Sequence, residues 1–238
     1  MQKEIQINTK DDHIIYGTLD SKQNSDTLLI FVHGLSGHKD EHHYFNAVPY
    51  FTEKNFDTFR FNFYTREPHS RLLSESSLTT HSDDLKLVIN NFKEKYKNII
   101  LIGHSFGALI IINTDLSDIS KIVLWDPTGE LNKIKEKNAS FNSDLNKYIL
   151  HWGMDILINK ELADDWQSVD LSKSMKNLKT PCKFIFAGNS SKHKAWEPFL
   201  KKIKVKNESV IINGATHGFI EEGVEQKLFE ETFDWVKN

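Results

Sequence analysis

A chain of 238 residues, 39% hydrophobic and 26% charged, is composed like a globular protein large enough to bury a core. Its formal net charge of −3 gives no electrostatic reason to expect nucleic acid or an anionic membrane as a partner. One cysteine, Cys182, excludes an internal disulfide and fits a reducing compartment. With no apolar signal region after Met1 and no run of membrane-spanning length, a cytoplasmic chain is expected.

Residues 2–20 alternate apolar and polar around Ile5, Ile7, Ile14, Ile15 and Tyr16, which predicts an antiparallel opening pair. Ser21 to Asp26 reads as a polar turn. Thr27 to Val32 is continuously apolar, as a strand buried on both faces must be. A helix over roughly Glu41–Lys54 and a strand over Thr58–Phe63 follow. Tyr64 to Ser77 reads as a long loop, and Thr79 to Tyr96 as a helix through Leu85, Val88, Ile89 and Phe92. Asn98 to Ile102 is a buried strand and Lys121 to Trp125 another, stopped by Asp126-Pro127-Thr128-Gly129. From about 128 to 180 the pattern becomes lysine-rich and helical in patches, which marks an insertion capping a single domain that spans 1–238. Pro181 to Gly188 returns to the sheet with Cys182 as a buried, inert thiol. Ser209 to Gly214 is the last strand, and Glu222 to Val236 the closing helix. Such alternation predicts a mostly parallel α/β sheet covered on both faces.

Three stretches carry chemistry. Gly103-His104-Ser105-Phe106-Gly107 puts a serine at a strained strand-to-helix turn, hydroxyl outward, with glycines where side chains would crowd the neighbours. Gly214-Ala215-Thr216-His217-Gly218-Phe219 sets a histidine after the last strand, at the start of the final helix. From there it reaches Ser105 as general base and acid. His33-Gly34-Leu35 turns backbone N–H groups toward the same point, so the Leu35 and Phe106 N–H groups are assigned as an oxyanion hole. His38, His42 and His43 have no accompanying carboxylate or thiolate set; a solvated helix start is expected there and no metal. The serine turn lacks G-x-G-x-x-G spacing, so no nucleotide cofactor is expected either.

Taken together and in this order, His33-Gly34, Gly103 to Gly107 and Gly214 to Phe219 resemble the α/β-hydrolase superfamily. His33 to Lys39 and the cap before Pro181 are similar to its cinnamoyl (feruloyl) esterase and serine-aminopeptidase-like branch. The resemblance implies a Ser–His–acid triad, an eight-stranded sheet with a lid, and metal-free hydrolysis of an ester or related acyl bond. The expectation is a serine carboxylesterase acting on a small-molecule ester, with thioesterase, lipase or peptidase activity using the same residues. A non-catalytic binding module of the same fold is the competing class.

The sequence departs from the branch at the acid. Where a Gly-x-x-Asp segment usually supplies it, this chain has Gly188-Asn189-Ser190-Ser191. Asp126, in Leu124-Trp125-Asp126-Pro127, is similar to the Leu-Asp-Pro segment of pancreatic-type lipases and is the expected replacement; the other reading is a turn cap before Pro127. Trp152, Met154, Ile156, Leu157 and Trp166 either wall a pocket over Ser105 or form the cap's own core. Lys133, Lys135 and Lys137 read as a solvated face.

Overall fold

The computed structural model describes residues 1–22, 25–130 and 138–237; Lys133, Lys135 and Lys137 lie outside them. The chain opens with an antiparallel pair, β1 (Gln2–Asn8) and β2 (Ile14–Asp20), followed by β3 (Thr27–Val32). Then come α1 (His42–Glu53), β4 (Asp57–Asn62) and α2 (Leu78–Phe92). The helix α2 starts at a capping box: the Ser77 hydroxyl accepts from the Thr80 N–H. It stops four residues short of the expected Tyr96, where the Lys95 and Tyr96 N–H groups both fold back on the Phe92 carbonyl. β5 (Asn98–His104), α3 (Phe106–Ile112) and β6 (Lys121–Trp125) complete the first half.

The stretch between β6 and the next strand of the main sheet holds strands as well as the expected helical patches. Its described part begins with a three-stranded antiparallel meander: β7 (Ala139–Asn142), β8 (Lys147–His151) and β9 (Asp155–Asn159). Only then come α4 (Lys160–Ser168) and α5 (Leu171–Asn177). Leu150 lies on one buried face with Ile156 and Ile158, a period-two pattern hidden among lysines and asparagines. The chain closes with β10 (Cys182–Ala187), α6 (Lys192–Leu200), β11 (Asn207–Ile212) and α7 (Val224–Val236).

The main sheet has eight strands in the order β1-β2-β4-β3-β5-β6-β10-β11, antiparallel through β1, β2 and β4 and parallel from β4 onward. Helices cover both faces. On one, Leu85, Val88 and Phe92 of α2, Leu109 of α3 and Trp196 of α6 pack against Ile30, Leu101 and Phe184. On the other, Tyr44 and Phe51 of α1 and Leu228 and Phe229 of α7 pack against Phe31, Ile102 and Trp125. Cys182 is fully buried, and burial pushes its thiol up to about 12, as fits an inert side chain. Among the described residues no helix is long and apolar enough to cross a membrane. The parallel strands run the same way, so β3, β5, β6, β10 and β11 all deliver their following loops to one edge, where an open parallel sheet places its site.

Candidate active site

Ser105 follows directly on β5, in the middle of the parallel region, and caps α3 with φ 55° and ψ −118°. That backbone is costly for a non-glycine residue. It is held by the Ser105 N–H donating to the Trp125 carbonyl (2.9 Å) and by the Thr128 and Ala108 N–H groups donating to the Ser105 carbonyl. The flanking glycines are steric necessities. A Cβ on Gly107 would lie 2.1 Å from the Val32 carbonyl oxygen, and one on Gly103 2.8 Å from the Ala108 nitrogen. The loop after β3 passes just as close, since a Cβ on Gly34 would stand 3.2 Å from that of Ser105.

That loop is braced from behind. His33 is buried; its Nε2 accepts from the Phe63 N–H (3.1 Å), so Nδ1 carries the hydrogen and donates to the Gly34 carbonyl (2.8 Å). The Tyr64 hydroxyl donates to the same carbonyl at 3.1 Å. Burial lowers the His33 ring to about 4, so it stays neutral in this role. With the Gly34 carbonyl held by His33 and Tyr64, the Leu35 peptide is fixed beside Ser105. As the first residue of α3, Phe106 has an N–H with no carbonyl within its own helix to receive it.

His217 stands in the loop after β11. It does not open the final helix as expected, because α7 begins only at Val224. Its Nε2 lies 2.9 Å from Ser105 Oγ and its Nδ1 2.5 Å from Asp126 Oδ2. A carboxylate oxygen can only accept, so Nδ1 carries the hydrogen and Nε2 accepts from the serine hydroxyl. The His217 carbonyl is fixed by His104, whose Nε2–H donates to it at 2.8 Å; burial pushes His104 well below the ordinary histidine range.

Asp126 follows β6, is fully buried and has φ 39°. Besides His217, its carboxylate accepts from the Ala187 N–H (3.1 Å) and the Ser190 hydroxyl (2.8 Å). Burial works to raise this carboxyl. The His217 hydrogen bond, the Lys192 charge and the Ser190 hydrogen bond win and hold it below the usual carboxylate range. The structure thus brings Ser105, His217 and Asp126 into one chain of hydrogen bonds. The segment Gly188 to Ser191, which has no acid, supplies a hydroxyl to Asp126 instead.

A family profile described as "Alpha/beta hydrolase family" matches residues 29–219. The chain belongs to that family. No match is found among curated proteins. Among solved structures, the α/β-hydrolase fold recurs in Est1E from Butyrivibrio proteoclasticus with ferulic acid bound, at TM-score 0.81 and 18% identity over 98% of each chain. It recurs in the alpha/beta hydrolase GrgF from Penicillium sp. sh18, at TM-score 0.80 and 15% identity over 100% of this chain and 98% of that one. A dienelactone hydrolase from Anabaena variabilis matches at TM-score 0.73 and 13% identity, over 100% and 97%.

For an α/β hydrolase, several site neighbours went unread in the sequence. Thr128 Oγ1 lies 3.1 Å from Ser105 Oγ; because the serine's own hydrogen goes to His217, the threonine is the donor. Ser190 and Lys192 approach Asp126 and His217 from the start of α6. Thr128 had a signal, its place two residues after Asp126. Lys192 had none. His43 corrects the expected solvated helix start: it is buried against Tyr44 and the His104 ring, although His38 and His42 are exposed. The aromatic set divides. Trp166 is buried 4.8 Å from the Phe106 ring and donates to the Gly129 carbonyl, and Ile156 is buried too. Leu157 is half-buried, while Trp152 and Met154 are exposed.

Proposed function

We propose that this α/β hydrolase is a serine hydrolase, and within that class a carboxylesterase for small or aromatic esters. The reading is carried by the continuous Ser105–His217–Asp126 chain at 2.9 and 2.5 Å. His217 Nε2 takes the Ser105 hydroxyl proton as Oγ attacks the carbonyl carbon. Asp126 accepts from Nδ1–H, keeps the ring in the required tautomer and balances the imidazolium. The carbonyl oxygen, now an oxyanion, is received by the Leu35 and Phe106 N–H groups. His217 passes its proton to the departing alkoxide, leaving an acyl group on Ser105. Water, deprotonated by the same ring, then releases the acid and restores the serine. Every proton and charge in this scheme is handled by the chain's own groups.

The aromatic preference is supported by the ferulic acid bound to Est1E, a structure of the same fold. Residues 128–180 act in this reading as a cap inserted in one domain, tied to α2 by Asp165, which accepts from the Thr79 N–H and the Thr79 hydroxyl.

Hydrolysis of p-nitrophenyl acetate and butyrate tests the assignment. Ser105→Ala is expected to fall to background and Asp126→Asn to lose about 10³–10⁴ in kcat. An Asp126→Asn enzyme as fast as wild type beside a dead Ser105→Ala overturns the acid assignment. A wild-type protein that neither hydrolyses oxygen or thiol esters nor takes a fluorophosphonate label, where a control esterase does, overturns the hydrolase reading in favour of a binding module.

A further inference from the structure

Thr128 stands in the loop that leaves β6, two residues past Asp126, and holds Ser105 by two bonds. Its N–H donates to the Ser105 carbonyl at 3.0 Å, and its hydroxyl lies 3.1 Å from Ser105 Oγ. Tryptophans fix the peptide on either side: Trp196 donates to the Pro127 carbonyl at 2.9 Å and Trp166 to the Gly129 carbonyl at 3.1 Å. Ser105 Oγ has one hydrogen, and it goes to His217 Nε2. The Thr128 hydroxyl therefore gives its own hydrogen to Oγ, and among the described residues it has no other hydrogen-bond partner. Oγ keeps its second lone pair for attack.

We infer that Thr128 is a further catalytic residue, whose hydroxyl assists the departure of Ser105 Oγ from the acyl-enzyme rather than its attack on the substrate. This role rests on the hydrolase reading. In the second half of that cycle His217 Nε2 takes a proton from water, and the water oxygen bonds to the acyl carbon. The tetrahedral species then loses Oγ: the C–Oγ bond breaks, its electron pair passes to Oγ, and His217 Nε2–H returns the proton there. Oγ has one lone pair toward His217 and one toward Thr128, so both donors face the oxygen as its negative charge grows. An ester oxygen accepts a hydrogen bond poorly and an alkoxide accepts it strongly. The threonine bond therefore strengthens as the C–Oγ bond breaks, which is the condition for lowering a barrier. Attack runs the other way. Oγ begins as a hydroxyl already bonded to Thr128 and gives up electron density to the carbonyl carbon, so the bond weakens and does not favour acylation. Hydroxide and the serine alkoxide are similarly poor leaving groups. Help given to Oγ alone raises the share of the tetrahedral species that goes on to the acid.

Stopped-flow release of p-nitrophenol from p-nitrophenyl butyrate by the full chain separates the two halves: the burst follows acylation and the steady rate deacylation. Mass spectrometry of the quenched protein measures the butyryl group held on Ser105. In Thr128→Val the burst is expected to be at least as fast as in wild type. The steady rate is expected to fall about tenfold, the worth of one hydrogen bond, and butyryl-enzyme to accumulate. Thr128→Ser, which keeps the hydroxyl, is expected to restore the steady rate. Circular dichroism checks the folds, and Thr128→Ala stands in if Thr128→Val fails to fold. A burst slowed in step with the steady rate would mean a displaced Ser105, and an unchanged steady rate would mean an idle hydroxyl; either overturns the role. Fluorophosphonate labelling beside the kinetics keeps the two readings apart. A wild type that takes the label, with either of those results in Thr128→Val, refutes the role of Thr128 alone. A wild type that neither takes the label nor releases p-nitrophenol, where a control esterase does both, refutes the hydrolase reading and the role with it.

Discussion

Ser105 and Asp126 share a backbone property: both hold positive φ, 55° and 39°. Each such residue costs about 1–3 kcal/mol, which the surrounding hydrogen bonds must offset. For Ser105 these are the bonds to Trp125 and Thr128, and for Asp126 its N–H donating to the Ile185 carbonyl at 2.7 Å. The strain turns two short side chains out of the strand ends and toward one point. Thr128 belongs to the same arrangement, because its hydroxyl supplies the second bond to Ser105 Oγ. Replacing it by valine removes that donor with little change of volume. We expect Thr128→Val to lower kcat by about 10-fold, the worth of one hydrogen bond, and Thr128→Ser to stay near wild type. A loss in Thr128→Ser beside a Thr128→Val near wild type would show that the threonine methyl, rather than its hydroxyl, matters.

At the scale of elements, the close packing of α3 on β3 and β5 fixes where the serine stands. Gly107 lets the helix rest on the Val32 and His33 carbonyls, and any side chain there must push the two apart. Gly107→Ala is expected to destabilise the protein by about 3 kcal/mol. Gly129→Ala, whose Cβ would meet nothing nearer than 3.9 Å, should stay within about 0.5 kcal/mol. Urea denaturation midpoints compare them directly. The loop after β6 is anchored in the same local way. Trp196 of α6 donates to the Pro127 carbonyl, Trp166 of α4 to that of Gly129, and the Leu171 N–H of α5 to Glu130. Three helices thus fix the segment that carries Asp126 and Thr128.

For the whole molecule, pH dependence of stability follows from buried neutral histidines. Burial lowers His33 to about 4 and His43 and His81 to about 3, and carries His104 well below its ordinary range. Below about pH 6.5 the unfolded chain binds protons at these rings and the folded one does not, so stability falls as pH falls toward the folded values. The slope reaches about 1.4 kcal/mol per pH unit for each histidine. Denaturation between about pH 7 and pH 5 should show a loss of several kcal/mol. His81 isolates one contribution: among the described residues neither ring nitrogen has a partner, and it packs among Phe63, Tyr64 and Phe106. His81→Leu is expected to lessen the acid slope by one proton; an unchanged slope would exclude His81 as a source.

The sequence alone determined the alternating α/β pattern and the elbow at Ser105, and it offered His217 and, by resemblance, Asp126 as companions. These are local facts. Buried strands must be continuously apolar, a strand-to-helix turn needs small neighbours, and a loop residue is legible by what it follows. The meander of β7 to β9 was less legible, because its alternation is carried by a few apolar residues diluted with lysine and asparagine. Only the tertiary structure decided that Asp126, 91 residues from His217 in the chain, meets it at 2.5 Å. It alone set Thr128 on Ser105 and Lys192 against the imidazole. Parallel strands deliver separate loops to one edge, and which side chains then touch depends on strand order and helix packing, neither of which leaves a mark at any single position.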